Sequence, residues 1–447
     1  MPVDAVSDQR RKTLLAVSLV AFPITLFYAI LFRFAVNVPL ADDYDAGLRY
    51  LNQSTQIPTF SGRMMYLLVA QQNEYKIVFG HAVVWLQYAV FGNLNLKLTC
   101  ALGNIFVLPL GWLLWRMFLP EQAVLAKRLA LFAPVSLLLF QLNYTETLDW
   151  AMPGLQNINV VFFALAAIYL LTKPAWGNFC AAIAMLVLAI SASGNGFFIV
   201  PIGVLILVTR RRYAHLAAWI AATAISLAAY LYHYTVAASS GQEHHSFLAT
   251  YFFRDPLYLL SFLGSAAFFP KPASLLLGLA IVFYLAYMIR RGYWRRNLLV
   301  AYCTLFVLLT ALAVTSLRSQ IAVLGGTSSR YRIYCDLLLI FAWFAFAEEF
   351  VQHRDVPLLR NRSFVRVLAV SCLFALLMDA WGIYFLAKRD RDLVRGMTLF
   401  EHPQPMQPPG PVYAPPDQPS VYYAWDTHTR AIMIQSIQLG IYDPPPY

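Results

Sequence analysis

The segment Pro39-Leu40-Ala41-Asp42-Asp43-Tyr44-Asp45-Ala46-Gly47-Leu48-Arg49-Tyr50 places three carboxylates directly after a long apolar run. Charge at the edge of hydrocarbon is costly, so each carboxylate needs a reason to be there. Local structure supplies one for two of them. Asp42 suits a helix N-cap with Asp45 at the third helical position, and Asp45 can pair with Arg49 one turn on. Asp43 has no such local partner. A carboxylate at the mouth of a helical bundle suits general-base work on a hydroxyl, which needs an ionised oxygen in a nearly dry pocket.

Complementary charge lies in two further stretches. In Gln71-Gln72-Asn73-Glu74-Tyr75-Lys76, Glu74 and Lys76 are too close to share a helix face. Lys76 suits a lipid phosphate, bound by a compact point charge, or simple snorkelling to headgroups. Gly325-Gly326-Thr327-Ser328-Ser329-Arg330-Tyr331-Arg332 joins glycines, hydroxyls and two arginines ahead of an apolar run. That composition fits an anion site at a helix N-terminus, and equally a set of interfacial arginines. It is not a nucleotide-binding loop, because the lysine and the spacing are wrong. Glu146 and Asp149 sit on another polar turn, where they either line the same cavity or are merely solvated. Asp43-x-Asp45 is a bare triplet and is not assigned to a metal and nucleotide. His81 and the pair His244-His245 lack a third ligand at a set spacing, so neither a metal nor a cofactor is expected.

The elements that must position these groups follow from composition. Of 447 residues, 60% are hydrophobic and 12% charged, with a mean hydropathy of +0.59. Such a chain cannot cover a soluble enzyme's surface, and it is neither disordered nor collagen-like. The expectation is an all-α polytopic membrane protein. Apolar runs at 13–36, 98–118, 129–142, 157–172, 178–193, 195–209, 215–236, 272–289, 297–317, 332–351 and 365–387 give about eleven transmembrane helices. The first is too long for a cleaved signal peptide and reads as a retained helix. Basic clusters at Arg10-Arg11-Lys12, Arg210-Arg211-Arg212 and Arg290-Arg291 alternate with turns that carry no Lys or Arg near 143–157 and 193–196. This pattern puts the N-terminus in the cytoplasm and, with an odd span count, the C-terminus outside. The net charge of +11 is then a matter of topology, not of nucleic acid. Residues 1–387 form the transmembrane domain. Within it, 37–97 is a first extracytoplasmic loop whose stretch 60–91 makes one or two amphipathic interfacial helices. Residues 388–447 form a proline-rich outer tail, an irregular wrap pinned by Tyr422, Tyr423 and Trp425. The five cysteines fall in or beside apolar runs and read as small buried hydrophobes.

In order and side of the membrane, Asp42-Asp43, then Asn73-Glu74-Tyr75-Lys76, then Phe91-Gly92-Asn93-Leu94-Asn95, then Arg330-Tyr331 resembles the GT-C superfamily of integral-membrane glycosyltransferases. Protein O-mannosyltransferases and lipid A aminoarabinose transferases belong to that group, and this chain looks like a divergent bacterial branch. Tyr75 separates Glu74 from Lys76, and Cys335 and Asp336 stand where prolines often follow the Arg-Tyr pair. The resemblance implies a GT-C-like fold in a bacterial inner membrane. It also implies inverting transfer of a sugar from a polyprenyl-phosphate donor to a hydroxyl of a glycan, lipid or protein acceptor. Asp42 or Asp43 would be the general base. Lys76, Arg330 and Arg332 would stabilise the leaving phosphate, while Glu74, Glu146 and Asp149 would contact substrate; no metal is required. A transporter or flippase of a lipid-linked sugar is the alternative, but it needs polar residues down the bundle, whereas here the mid-span segments are mostly apolar. An O-antigen polymerase or ligase normally has a large late loop, and 318–331 is short. The expected topology is checked with single cysteines probed by an impermeant maleimide. One placed among Arg210-Arg211-Arg212 should label only in opened vesicles, and one in the turn 193–196 should label in intact cells.

Overall fold

The computed structural model describes residues 3–72, 75–118, 125–235, 254–320, 322–353, 362–401 and 427–445, and among these it is all-α with no strand. The helices are α1 (Val3–Phe34), a π-helical turn Asp43–Arg49 leading into α2 (Tyr50–Thr55), α3 (Phe60–Val69), α4 (Val78–Phe91) and α5 (Leu96–Asn104). Next come α6 (Val107–Met117), α7 (Leu125–Leu139), α8 (Thr145–Asp149), and α9 (Ala151–Pro153), which a π-helical turn Gly154–Ile158 joins to α10 (Asn159–Leu171). They continue as α11 (Trp176–Ala192), α12 (Ile199–Thr209), α13 (Tyr213–Leu231), α14 (Asp255–Leu263), α15 (Ala273–Arg290) and α16 (Tyr293–Arg296). The last are α17 (Leu298–Arg318), α18 (Arg332–His353), α19 (Arg362–Glu401) and α20 (Thr427–Gln438).

Among the described residues seven segments are long and apolar enough to cross a membrane: Arg10–Phe34, Leu96–Met117, Ala151–Leu171, Tyr213–Leu231, Ala273–Arg290, Leu298–Arg318 and Val365–Met397. The other four expected runs are also helical. They fall short in different ways: α7 has 15 residues, α11 has 17 and α12 has 11, each under the roughly 20 that span hydrocarbon. At 22 residues α18 has the length but carries Arg332, Asp336, Glu348 and Glu349.

Two compact units divide the chain. One comprises Leu31–Phe106, Thr145–Gly241 and Tyr384–Tyr447 and is called here the loop unit. The stretch 60–91, expected to make one or two amphipathic helices, forms two. α3 buries none of its residues, and α4 turns Gly80, His81, Val84 and Gln87 inward while Leu86 and Val90 stay exposed. Gly92 ends α4 with φ +76°, a left-handed conformation that a side chain would oppose. Asn95 then opens α5 by accepting the Leu98 N–H at 3.0 Å. α5 packs on the turn after α9 so tightly that a Cβ on Gly103 would lie 3.0 Å from the backbone of Gly154 and Leu155. At the far end of α10, Arg212 donates to the carbonyls of Lys173 at 2.8 Å and Pro174 at 3.1 Å, a cation placed where the helix dipole favours it.

The second unit comprises Met1–Ile30, Val107–Tyr144 and Gln242–Ile383. Phe27 and Phe140 meet edge to face at 5.8 Å between α1 and the end of α7, and the α18 indole of Trp343 donates to Leu131 O on α7 at 2.8 Å. The expected boundary at 387/388 falls inside α19, which runs on to Glu401, and the tail contributes α20. The change to Lys388, Arg389, Asp390, Arg391 and Asp392 alters polarity without removing helix-forming residues, so the helix continues. The residues 402–426, with the proline-dense stretch and Tyr422, Tyr423 and Trp425, lie outside the described residues. Of the cysteines, Cys100, Cys303 and Cys335 are buried as expected, Cys372 is half-buried and Cys180 is exposed. Replacing Gly103 by Leu should lower stability by about 1–3 kcal/mol through forced separation of α5 from Gly154, read as a drop in the thermal melting temperature of the purified protein.

Candidate acidic site of the loop unit

The site begins with a helix that cannot cap itself. Trp150 precedes α9 and offers no side-chain acceptor, while Pro153 carries no N–H, so the amides of Ala151 and Met152 need a partner from elsewhere. Asp43 supplies it. Its Oδ1 accepts the Met152 N–H at 3.1 Å, the Ala151 N–H also bonds to its carboxyl, and its Oδ2 accepts the Leu40 N–H at 3.2 Å. Asp43 thus caps its own turn and the start of the Ala151–Leu171 segment together. Its side chain is 1% exposed. Burial lifts its pKa to about 8, against the lowering pull of the three backbone N–H groups.

The loop that delivers Asp43 is strained. Ala41 has φ +45°, a left-handed conformation rare for alanine, and it turns the chain between Leu40 and Asp42. Asp42 stands at the N-cap position expected of it, but its side chain makes no capping bond. It is half-buried, with more room than Asp43. Asp45 pairs with Arg49 at 3.1 Å, as the spacing predicts, and its Oδ1 also meets Nε2 of His428 at 3.1 Å.

The turn that Asp43 caps carries the next carboxylates. Asp149 on α8 is 3% exposed, and its Oδ1 receives Nη1 of Arg389 from α19 at 2.6 Å. Among the described residues no side chain donates to its Oδ2. Burial raises the Asp149 pKa to about 6 in spite of the arginine. Glu146, one helical turn earlier, is half-buried and bears electrostatically on the same Arg389. The Met152 amide that Asp43 accepts lies three residues beyond Asp149, so both carboxyls belong to the same end of this segment. Four of the expected residues, Asp42, Asp43, Glu146 and Asp149, are therefore gathered at the start of one apolar segment.

The remaining expected residues are placed differently. Glu74 lies outside the described residues. Lys76 is fully buried: its ammonium donates to the carbonyl of Tyr232, and its N–H donates to the Tyr230 hydroxyl at 3.1 Å. Burial lowers its pKa. Arg330 and Arg332 belong to the second unit. Arg330 is half-buried against Tyr331, whereas Arg332 is buried over the Phe268 ring at 3.7 Å and donates to the carbonyls of Thr327 at 3.1 Å and Asn143. The amides of Gly325, Thr327, Ser328 and Tyr331 donate into local turns. Of the histidines, His81 stacks on Tyr50 at 4.1 Å, and 244–245 lie outside the described residues. Among the described residues no group of three or more His, Cys, Asp or Glu side chains could hold a metal ion.

Two features escape the sequence reading. Arg389 follows an apolar run like any interfacial arginine, and nothing in the order of residues marks its partner. Asp336 is different: it lies in the apolar run 332–351, and an acidic residue there is itself a signal. It is fully buried, with Nδ2 of Asn143 at 3.4 Å from its Oδ2; the same Nδ2 reaches Gln141 Oε1 at 2.6 Å. No family model, curated protein or solved structure matches this chain.

Asp43 and Asp149 hold protons more tightly folded than unfolded. Their contribution to stability is complete below the unfolded value of 3.8 and is lost as pH rises through about 6 for Asp149 and about 8 for Asp43. Thermal melting of the purified protein should therefore move to lower temperature between pH 6 and pH 8, and Asp43→Asn should flatten that part of the profile.

Proposed function

We propose that the chain is a membrane glycosyltransferase of the GT-C type, with about eleven spans, its N-terminus in the cytoplasm of a bacterial inner membrane and its acidic loop outside. It moves a sugar from a polyprenyl-phosphate donor to an acceptor hydroxyl with inversion. The observation that carries this reading is the gathering of Asp42, Asp43, Glu146 and Asp149 where the apolar segment Ala151–Leu171 begins. Carboxylates concentrated at one end of apolar helices suit chemistry at a single face of the membrane.

On this reading the two adjacent aspartates have different tasks. Both oxygens of Asp43 are taken by backbone N–H groups, so it holds the loop in place. Asp42, half-buried on the same turn, is the base that takes the proton of the attacking hydroxyl. The bond from that oxygen to the anomeric carbon forms as the bond to the lipid phosphate breaks, and the phosphate leaves with the electron pair. Within the loop unit, Lys76 and Arg389 are the cations nearest in function to that charge, with Glu74 and Glu146 toward substrate. Arg330 and Arg332 remain the candidates from the second unit. A flippase acting on the same lipid would need no base.

The discriminating measurement follows sugar transfer from lipid-linked donors to cell-envelope acceptors by mass spectrometry, with purified variants in parallel. Asp42→Asn should abolish transfer, by a factor of at least about 100, while leaving the folded yield intact. Asp43→Asn should lower both transfer and stability, and Lys76→Ala or Arg330→Ala should raise the KM for the lipid donor. Full activity of the Asp42→Asn, Asp43→Asn double variant would end the general-base assignment.

A further inference from the structure

The loop that bears Asp42 and Asp43 is gripped from both sides by residues far away in the chain. Upstream, Asn37 donates through Nδ2 to the carbonyl of Asp443 at 3.0 Å, and its own carbonyl accepts the Tyr442 hydroxyl at 2.6 Å. Its Oδ1 accepts the Leu96 N–H at 2.8 Å, and Leu94 N–H reaches Ile441 O at 2.7 Å. Downstream, Asn52 is fully buried and spends its whole amide on α20. Nδ2 donates to Ile432 O at 3.2 Å, and Oδ1 accepts the Ser436 hydroxyl at 2.9 Å. Between these two grips, His428 meets Asp45 on the turn that Asp43 begins. Ile432, Met433, Ile441 and Tyr442 are all buried, so the contact has an apolar core as well as polar anchors.

We infer that residues 427–445 are a positioning element of the candidate active site, and that the Asn52–Ser436 and Asn37–Tyr442 bonds set the conformation in which Asp42 is presented. This rests on the transferase reading for its consequence in turnover, but not for its structural content. The strained Ala41 turn and the buried Asp43 carboxyl have little local sequence to hold them. An element that fixes the chain before and after the turn supplies that constraint. Ser436 and Asn52 touch no reacting atom in this account; they act through the loop.

Hydrogen exchange on the full-length protein in lipid nanodiscs tests it without any substrate. Asn52→Ala and Ser436→Ala should each speed exchange across 40–49 and at Met152, whose amide is protected by Asp43, by roughly five- to tenfold, the effect of one buried hydrogen bond. Exchange across 273–290 should stay unchanged. The double variant should be little worse than Asn52→Ala alone, because the two side chains share one bond, and Ser436→Thr, which keeps the hydroxyl, should restore slow exchange. Where transfer is measured, kcat should fall with exchange rate while the donor KM holds. Faster exchange in 427–438 with none in 40–49 would overturn the inference, even if Asn52→Ala proves too unstable to purify and Ser436→Ala alone is read. Intact protein that shows the exchange coupling but transfers no sugar would overturn the transferase reading and leave this one standing.

Discussion

A helix that starts inside a protein must find acceptors for its first amides, and at Ala151 the neighbouring sequence offers none. Asp43 meets that demand from more than a hundred residues away in the chain, and much of the loop unit's geometry follows. The bond ties the Asp42–Asp43 turn to the start of an apolar segment, just after Glu146 and Asp149 in the chain, and the backbone reaches it through the left-handed bend at Ala41. It also removes Asp43 from water, so its proton becomes hard to lose. Its neighbour Asp42 is only half-buried on the same turn.

The buried cations obey the same constraint. An ammonium or guanidinium out of water needs oxygen partners, and here the nearest ones are carbonyls or one carboxylate. Lys76 takes the carbonyl of Tyr232 and Arg332 those of Thr327 and Asn143, while the half-buried Arg389 takes the carboxylate of Asp149. Each of these cations therefore has an oxygen partner within the protein itself. In the second unit, Asp336, Asn143 and Gln141 form a buried polar group at the ends of α7 and α18. It lies near the termini of those helices, not at their middles.

Much was legible in the order of residues. Asp45 and Arg49 pair one turn apart because helical periodicity alone brings them together, and Gly92 closes α4 because only a residue without a side chain enters that conformation freely. Apolar runs of sufficient length became helices, since a buried backbone must satisfy its own hydrogen bonds. α19 continues past the apolar run because a change from apolar to charged residues marks a change of surroundings, not of backbone conformation.

Composition and periodicity by themselves determined an all-α chain with segments able to cross a membrane, and located the carboxylates at the ends of those segments. Partnership across long separations was decided by the tertiary structure: Asp43 with Met152, Asp149 with Arg389, Asn52 with Ser436. Local rules arise from bonds that repeat every few residues, so they can be read along the chain. Which distant amide or guanidinium satisfies a buried oxygen depends on how the helices pack, and that information is held jointly by all of them.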